Sequence, residues 1–144
     1  MALVKKIDHI AIAVKDLETA VQTFTANFGF PVTKQEDLAA FGIRNAMLQI
    51  GDAELELFTP TKADNPAAKF IAEQGEGMYV LSLEVENLAQ ATQALAAKGI
   101  KVGPPLPTSN GGRLVFISPK ATHGVLLQFI ERPKSQAGHP TRND

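Results

Sequence analysis

The chain has 144 residues, 44% of them hydrophobic, enough to build the core of one compact domain or two small fused modules, and its formal net charge is −1. That balance gives no electrostatic case for nucleic acid or an anionic membrane, and no apolar run approaches the length of a bilayer span. Cysteine is absent, which excludes disulfides, thiolate nucleophiles and thiolate metal sites, and MALVKKIDHI lacks the apolar core of a signal peptide, so a cytoplasmic protein is expected.

The first patterned stretch, IDHIAIAV, alternates as a strand does. Ile10, Ile12 and Val14 share one face, bulky enough to pack on a helix, while His9, Ala11 and Ala13 share the other. The period then changes. Leu17, Ala20, Val21, Phe24 and Phe28 fall at helical spacing, Asp16 suits the N-cap and Gly29 the stop, predicting a helix near 16–28. FPVTKQEDL, GIRNAMLQI and AELELF follow as three strands, with Asn45, Met47 and Gln49 on one face and Glu54, Glu56 and Phe58 on one face. The segment TPTKADNPAAKFIAEQGEG joins the halves and holds a short helix near Pro66 to Gln74.

The plan then repeats. Val85-Glu86-Asn87-Leu88 matches Val14-Lys15-Asp16-Leu17, and Leu88, Ala91 and Leu95 predict a helix near 87–98 that ends at Gly99. IKVGPPL, GGRLVFIS and GVLLQFI read as three more strands, with Gln128 in the place of Glu56. The fold class is therefore α+β, two βαβββ modules at 1–62 and 77–131, with a linker at 63–76 and a polar tail at 132–144 read as disordered. Each module covers one sheet face with its helix and leaves the other bare, so pairing two modules makes a cup. A histidine flanked by alanines on a bare face lines such a cup; where the repeat would place a second histidine, in GEGMYVLSLEV, stands Val80.

IDHIAIAVKDLETA, GDAELELFTP, GEGMYVLSLEVENL and GGRLVFISPKATHGVLLQF, in that order and spacing, resemble the vicinal oxygen chelate superfamily, closest to its methylmalonyl-CoA epimerase and glyoxalase I branch. The resemblance implies a cup around a divalent metal that binds two substrate oxygens and stabilises an enolate-like intermediate. Four ligand positions carry over. His9 and Glu56 hold donors; the third position is Val80, which has none, and the fourth is Gln128 in place of glutamate. Asn45 stands where the epimerase branch places a carboxylate base, and an amide takes no proton.

Two arrangements follow: a weakly bound zinc, cobalt, nickel or magnesium on His9, Glu56 and Gln128, or a metal-free pocket in which those three hydrogen-bond each other. The expected reaction is proton transfer next to a carbonyl, on a small carbonyl compound or acyl-CoA thioester, with Glu56 or His9 as base. Asn45, Met47, Val80, Arg113 and Gln128 are the expected substrate-binding residues, Arg113 through an anionic group of the substrate. Tyr79 and Glu84 read as structural, and His123 as a histidine at the surface or the cup's rim. The alternative is a metal-free small-molecule-binding protein resembling bleomycin resistance protein; a catalytically inactive partner subunit is a third reading. A homodimer is expected, because the family's modules leave strand edges for a partner. Restoring the missing ligands by Val80→His with Gln128→Glu should raise zinc and cobalt affinity at least ~10–100-fold in calorimetric titration. Equal affinity of the two proteins would mean that the register of the repeat is wrong or that other residues, His123 first among them, already hold the metal.

Overall fold

The computed structural model describes residues 3–134. Strand β1 (Val4–Ala13) leads into helix α1 (Leu17–Phe28), whose start is fixed by the Asp16 carboxylate accepting from the Thr19 N–H at 3.0 Å. The helix stops at Gly29, whose φ of 73° lies in the left-handed region that glycine enters without steric cost. Strands β2 (Val32–Leu38), β3 (Ile43–Ile50) and β4 (Ala53–Pro60) follow, in the spatial order β2-β3-β4-β1. The β2–β3 and β3–β4 pairs are antiparallel and β1 runs parallel to β4, as a crossover through α1 demands. Ile10 and Ile12 of β1, with Ala46, Leu48, Leu55 and Leu57, pack against Leu17, Ala20, Val21 and Phe24 of α1.

Helix α2 (Pro66–Gln74) is capped by Asn65, whose side-chain oxygen accepts from the Ala67 N–H at 2.8 Å and whose amide donates to the carbonyls of Phe41 and Gly42. The second module repeats the plan of the first. Strand β5 (Gly77–Val85) leads to α3 (Leu88–Ala97), capped by Asn87 accepting from the Gln90 N–H at 2.9 Å, then to β6 (Leu106–Pro107), β7 (Arg113–Ile117) and β8 (Leu127–Glu131). Its order is β5-β8-β7-β6, with β5 and β8 parallel. The core here is Val85, Leu88, Ala91, Val115, Ile117 and Phe129. The fold is α+β, built of two βαβββ-like modules.

One expected strand is much reduced. IKVGPPL yields a single bridge between Val102 and Ile117 and a two-residue β6, because the prolines at 104 and 105 have no N–H to give a ladder. The turn between β6 and β7 needs its glycine. A Cβ on Gly112 would stand 2.5 Å from the Glu131 carbonyl oxygen, and the Gly112 N–H donates to Thr108 Oγ1 at 2.7 Å.

The chain divides into two compact units: residues 9–79 form one, and residues 80 onward, with the start of the chain as far as Asp8, form the other. Val4 packs into the core of the second unit. Within that unit Asp8 is fully buried, and Arg132 forks onto it, Nε donating to Oδ1 at 3.1 Å and Nη2 to Oδ2. Arg132 is the first residue of the stretch expected to be disordered; that stretch lies outside the described residues from 135 onward. Deleting one member of a buried ion pair strands the other charge, so Arg132→Met should lower stability by about 3–5 kcal/mol. The double change with Asp8→Leu should cost less than the single one, and urea denaturation midpoints of the two variants check the order.

Candidate functional site

In the first unit, alternation along three strands puts one set of polar side chains on the sheet face away from α1. The parallel β1–β4 register pairs Ala11 with Glu56 and His9 with Glu54, and the antiparallel β3–β4 register pairs Met47 with Glu56 and Asn45 with Phe58. His9, Asn45, Met47 and Glu56 therefore meet. His9 Nε2 lies 3.4 Å from Glu56 Oε1, and Asn45 Nδ2 donates to Glu56 Oε2 at 2.7 Å. The same Asn45 nitrogen stands 3.8 Å from the Met47 sulfur. Both His9 and Asn45 are buried, Asn45 to 3% exposure. Asn45 Oδ1, by contrast, is enclosed and has no hydrogen-bond partner among the described residues.

This arrangement has a defined chemistry. The amide N–H orients one carboxylate oxygen, and the other oxygen faces an imidazole nitrogen. In a neutral ring whose proton sits on Nε2 and faces Glu56, the basic lone pair is on Nδ1. Carboxylate and imidazole together form a pair able to accept and return a proton.

The second unit carries a different pair. The parallel β5–β8 register sets Ser82 opposite Gln128, and Ser82 Oγ donates to Gln128 Oε1 at 2.7 Å. Both are buried, as is Val80, which is 7% exposed and presents only hydrocarbon. Ser82 is a functional candidate that sequence reasoning missed; the signal for it was its place on the same face as Val80, in the repeat of the strand that carries His9.

Arg113 requires a correction. It pairs with Glu131 in the β7–β8 register, while Gln128 pairs with Phe116, so strand alternation places Arg113 and Gln128 on opposite faces. Its guanidinium meets Glu131 Oε1 at 3.2 Å, and the other oxygen of that carboxylate accepts from the Leu88 N–H at the start of α3 at 3.1 Å. Arg113 thus supports a helix-capping carboxylate. Glu84 is buried near Lys5 Nζ, at 3.8 Å, and His123 is exposed in the turn before β8 at a φ of 59°.

The divalent metal implied by the resemblance does not fit the donors present. Val80 offers none, the Gln128 carbonyl oxygen already accepts from Ser82, and among the described residues no group of three or more histidine, cysteine, aspartate or glutamate side chains is placed to hold an ion.

The description Glyoxalase/Bleomycin resistance protein/Dioxygenase superfamily belongs to the family model that matches residues 6–129. The chain is 30% identical over 128 residues to the uncharacterized protein YqjC of Bacillus subtilis, covering 88% of this chain and 91% of that one. It is 30% identical over 132 residues to the mitochondrial methylmalonyl-CoA epimerase of Homo sapiens, covering 86% and 72%. A variant of Streptomyces coelicolor methylmalonyl-CoA epimerase in complex with 2-nitronate-propionyl-CoA superposes with a TM-score of 0.85 at 33% identity, covering 89% of this chain and 97% of that one.

Tyr79, the single tyrosine of the chain, packs its ring against Phe58 and Phe70 at centroid distances of 5.6 and 5.0 Å. Burial raises its phenol above the ordinary value of 10.0, because the phenolate would be poorly solvated there. A group with a raised folded-state value holds its proton longer folded than unfolded. Its contribution to stability is therefore complete below about pH 10 and lost as the pH climbs through the folded value. With no tryptophan in the chain, ultraviolet phenolate absorbance reads this titration directly, and a midpoint above 10 is expected.

Proposed function

The chain belongs to the glyoxalase/bleomycin resistance protein/dioxygenase superfamily, and we propose that it is an enzyme that moves a proton next to the carbonyl of an acyl-CoA-like thioester or a small carbonyl compound. Its similarity to methylmalonyl-CoA epimerases supports epimerase or isomerase activity on acyl-CoA-like substrates. The observation that carries the reading is the half-buried Glu56 carboxylate held between His9 and the Asn45 amide.

Glu56 takes the proton from the carbon beside the carbonyl, leaving an enolate, and its carboxyl returns the proton to a neighbouring atom on the same face in an isomerisation; an epimerisation needs in addition a second acid that protonates the opposite face of that carbon. Asn45 keeps one carboxylate oxygen oriented, so the other, facing His9, exchanges the proton. No step runs through a metal.

A second reading is favoured by the buried hydrocarbon of Val80: a metal-free small-molecule-binding protein resembling bleomycin resistance protein, which keeps the fold and dispenses with the chemistry.

Deuterium incorporation from heavy water, followed by NMR on 2-substituted acyl-CoA thioesters and small hydroxyketones, separates the two. Exchange on at least one compound, slowed about 10²–10⁴-fold by Glu56→Gln, supports the enzyme. Tight binding without exchange supports the second reading. On methylmalonyl-CoA itself, C2 exchange at the turnover of a dedicated epimerase is not expected. Asn45 cannot serve as a base, and Val80 and Gln128 stand where the family resemblance places a histidine and a glutamate.

A further inference from the structure

We infer that Asn45 selects ligands that carry a hydrogen-bond donor, a hydroxyl or an N–H, on the carbon that loses its proton. This rests on the proton-transfer reading above and names a substrate class within it. The orientation of the Asn45 amide is dictated by its neighbours. Its nitrogen donates to Glu56 Oε2 at 2.7 Å and lies 3.8 Å from the Met47 sulfur, and the reversed amide would set oxygen against a carboxylate and a thioether, neither of which donates. The oxygen is therefore forced to the other side, where it is enclosed and has no partner among the described residues. Buried carbonyl oxygens are nearly always hydrogen-bonded, so an orphan on a side chain this constrained marks the place of a missing donor.

The position of that donor follows from the amide itself. Anything bound to Oδ1 stands one amide width from the carboxylate proposed to take the proton. The donor matched to that position is a substituent on the reacting carbon. A second carboxylate, as in a malonyl thioester, would bring an anion up to both the Oδ1 lone pairs and Glu56, so the same geometry disfavours it. Access requires a side chain to move. Met47, half-buried and in contact with the amide, has three rotatable bonds and is the side chain suited to swing aside.

The test compares lactoyl-CoA with propionyl-CoA, which differ by one hydroxyl on the carbon beside the carbonyl, by calorimetric titration of the full chain. A preference for lactoyl-CoA of about tenfold is expected from one added neutral hydrogen bond. Asn45→Leu, which keeps the shape and removes the acceptor, should bring the ratio close to one. Asn45→Ala serves as a second variant, each checked for folding by circular dichroism. Equal wild-type affinity for the two thioesters overturns the inference while leaving the proton-transfer reading intact, and this arm needs no variant. A preference that survives loss of the Asn45 oxygen also overturns it, since the hydroxyl would then be read elsewhere and an internal water would satisfy Oδ1. Binding of neither thioester overturns the inference together with the acyl-CoA reading.

Discussion

The parallel pairing of β1 with β4, Ala11 opposite Glu56, governs the first unit. Side chains alternate strictly across a strand, so this one register assigns Ile10 and Ile12 to the helix and His9, Ala11 and Ala13 to the open face. The antiparallel β3–β4 pairing adds Asn45 and Met47 to that face. A slip of one residue would bury His9 and Glu56 under α1 and expose the isoleucines. The hydrophobic core and the polar cluster are thus two results of a single constraint, and the apolar packing of α1 fixes where the carboxylate stands.

The two modules use the same frame for different chemistry. Where the first sets an ionisable pair, His9 and Glu56, the second sets two neutral groups, Ser82 and Gln128, with Val80 two residues before Ser82 on the same face of β5. A hydroxyl donating to an amide carbonyl is complete within itself and leaves no charge to be balanced. The histidine–carboxylate pair is not neutral in that sense, and the Asn45 amide is what holds its acid in place.

Much of this was legible in the sequence, and for physical reasons. Helix ends at Asp16, Gly29 and Asn87 follow from short-range rules of capping and left-handed glycine, and faces follow from alternation, so the helices and the open-face set needed no long-range information. The face of Arg113 relative to Gln128 depends on the register of β7 against β8 across the 118–126 connection, which local pattern does not set. The reduction of β6 follows from Gly103-Pro104-Pro105, two of whose three positions have no N–H to give a ladder. The Asp8–Arg132 fork joins residues with no local signature linking them, and Ser82 was a partner that only the β5–β8 register could name.

The Asp8–Arg132 fork also sets a schedule for the nascent chain. Residues 9–79 form a contiguous unit that is complete soon after it leaves the ribosome, whereas the other unit must recruit the first strand's leading half from the opposite end of the sequence. Asp8 and Arg132 are 124 positions apart, so at about 5–20 residues per second the aspartate waits roughly 6–25 s for its cation. Through that interval the carboxylate stays in water, since burying it unpaired is costly. Val4 to Asp8 have no finished core to join before then, whereas the register of His9 to Ala13 with β4 lies wholly within the unit made first. Synthesis of β8 and of the Arg132 that follows it is thus the event that lets Asp8 be buried with its partner.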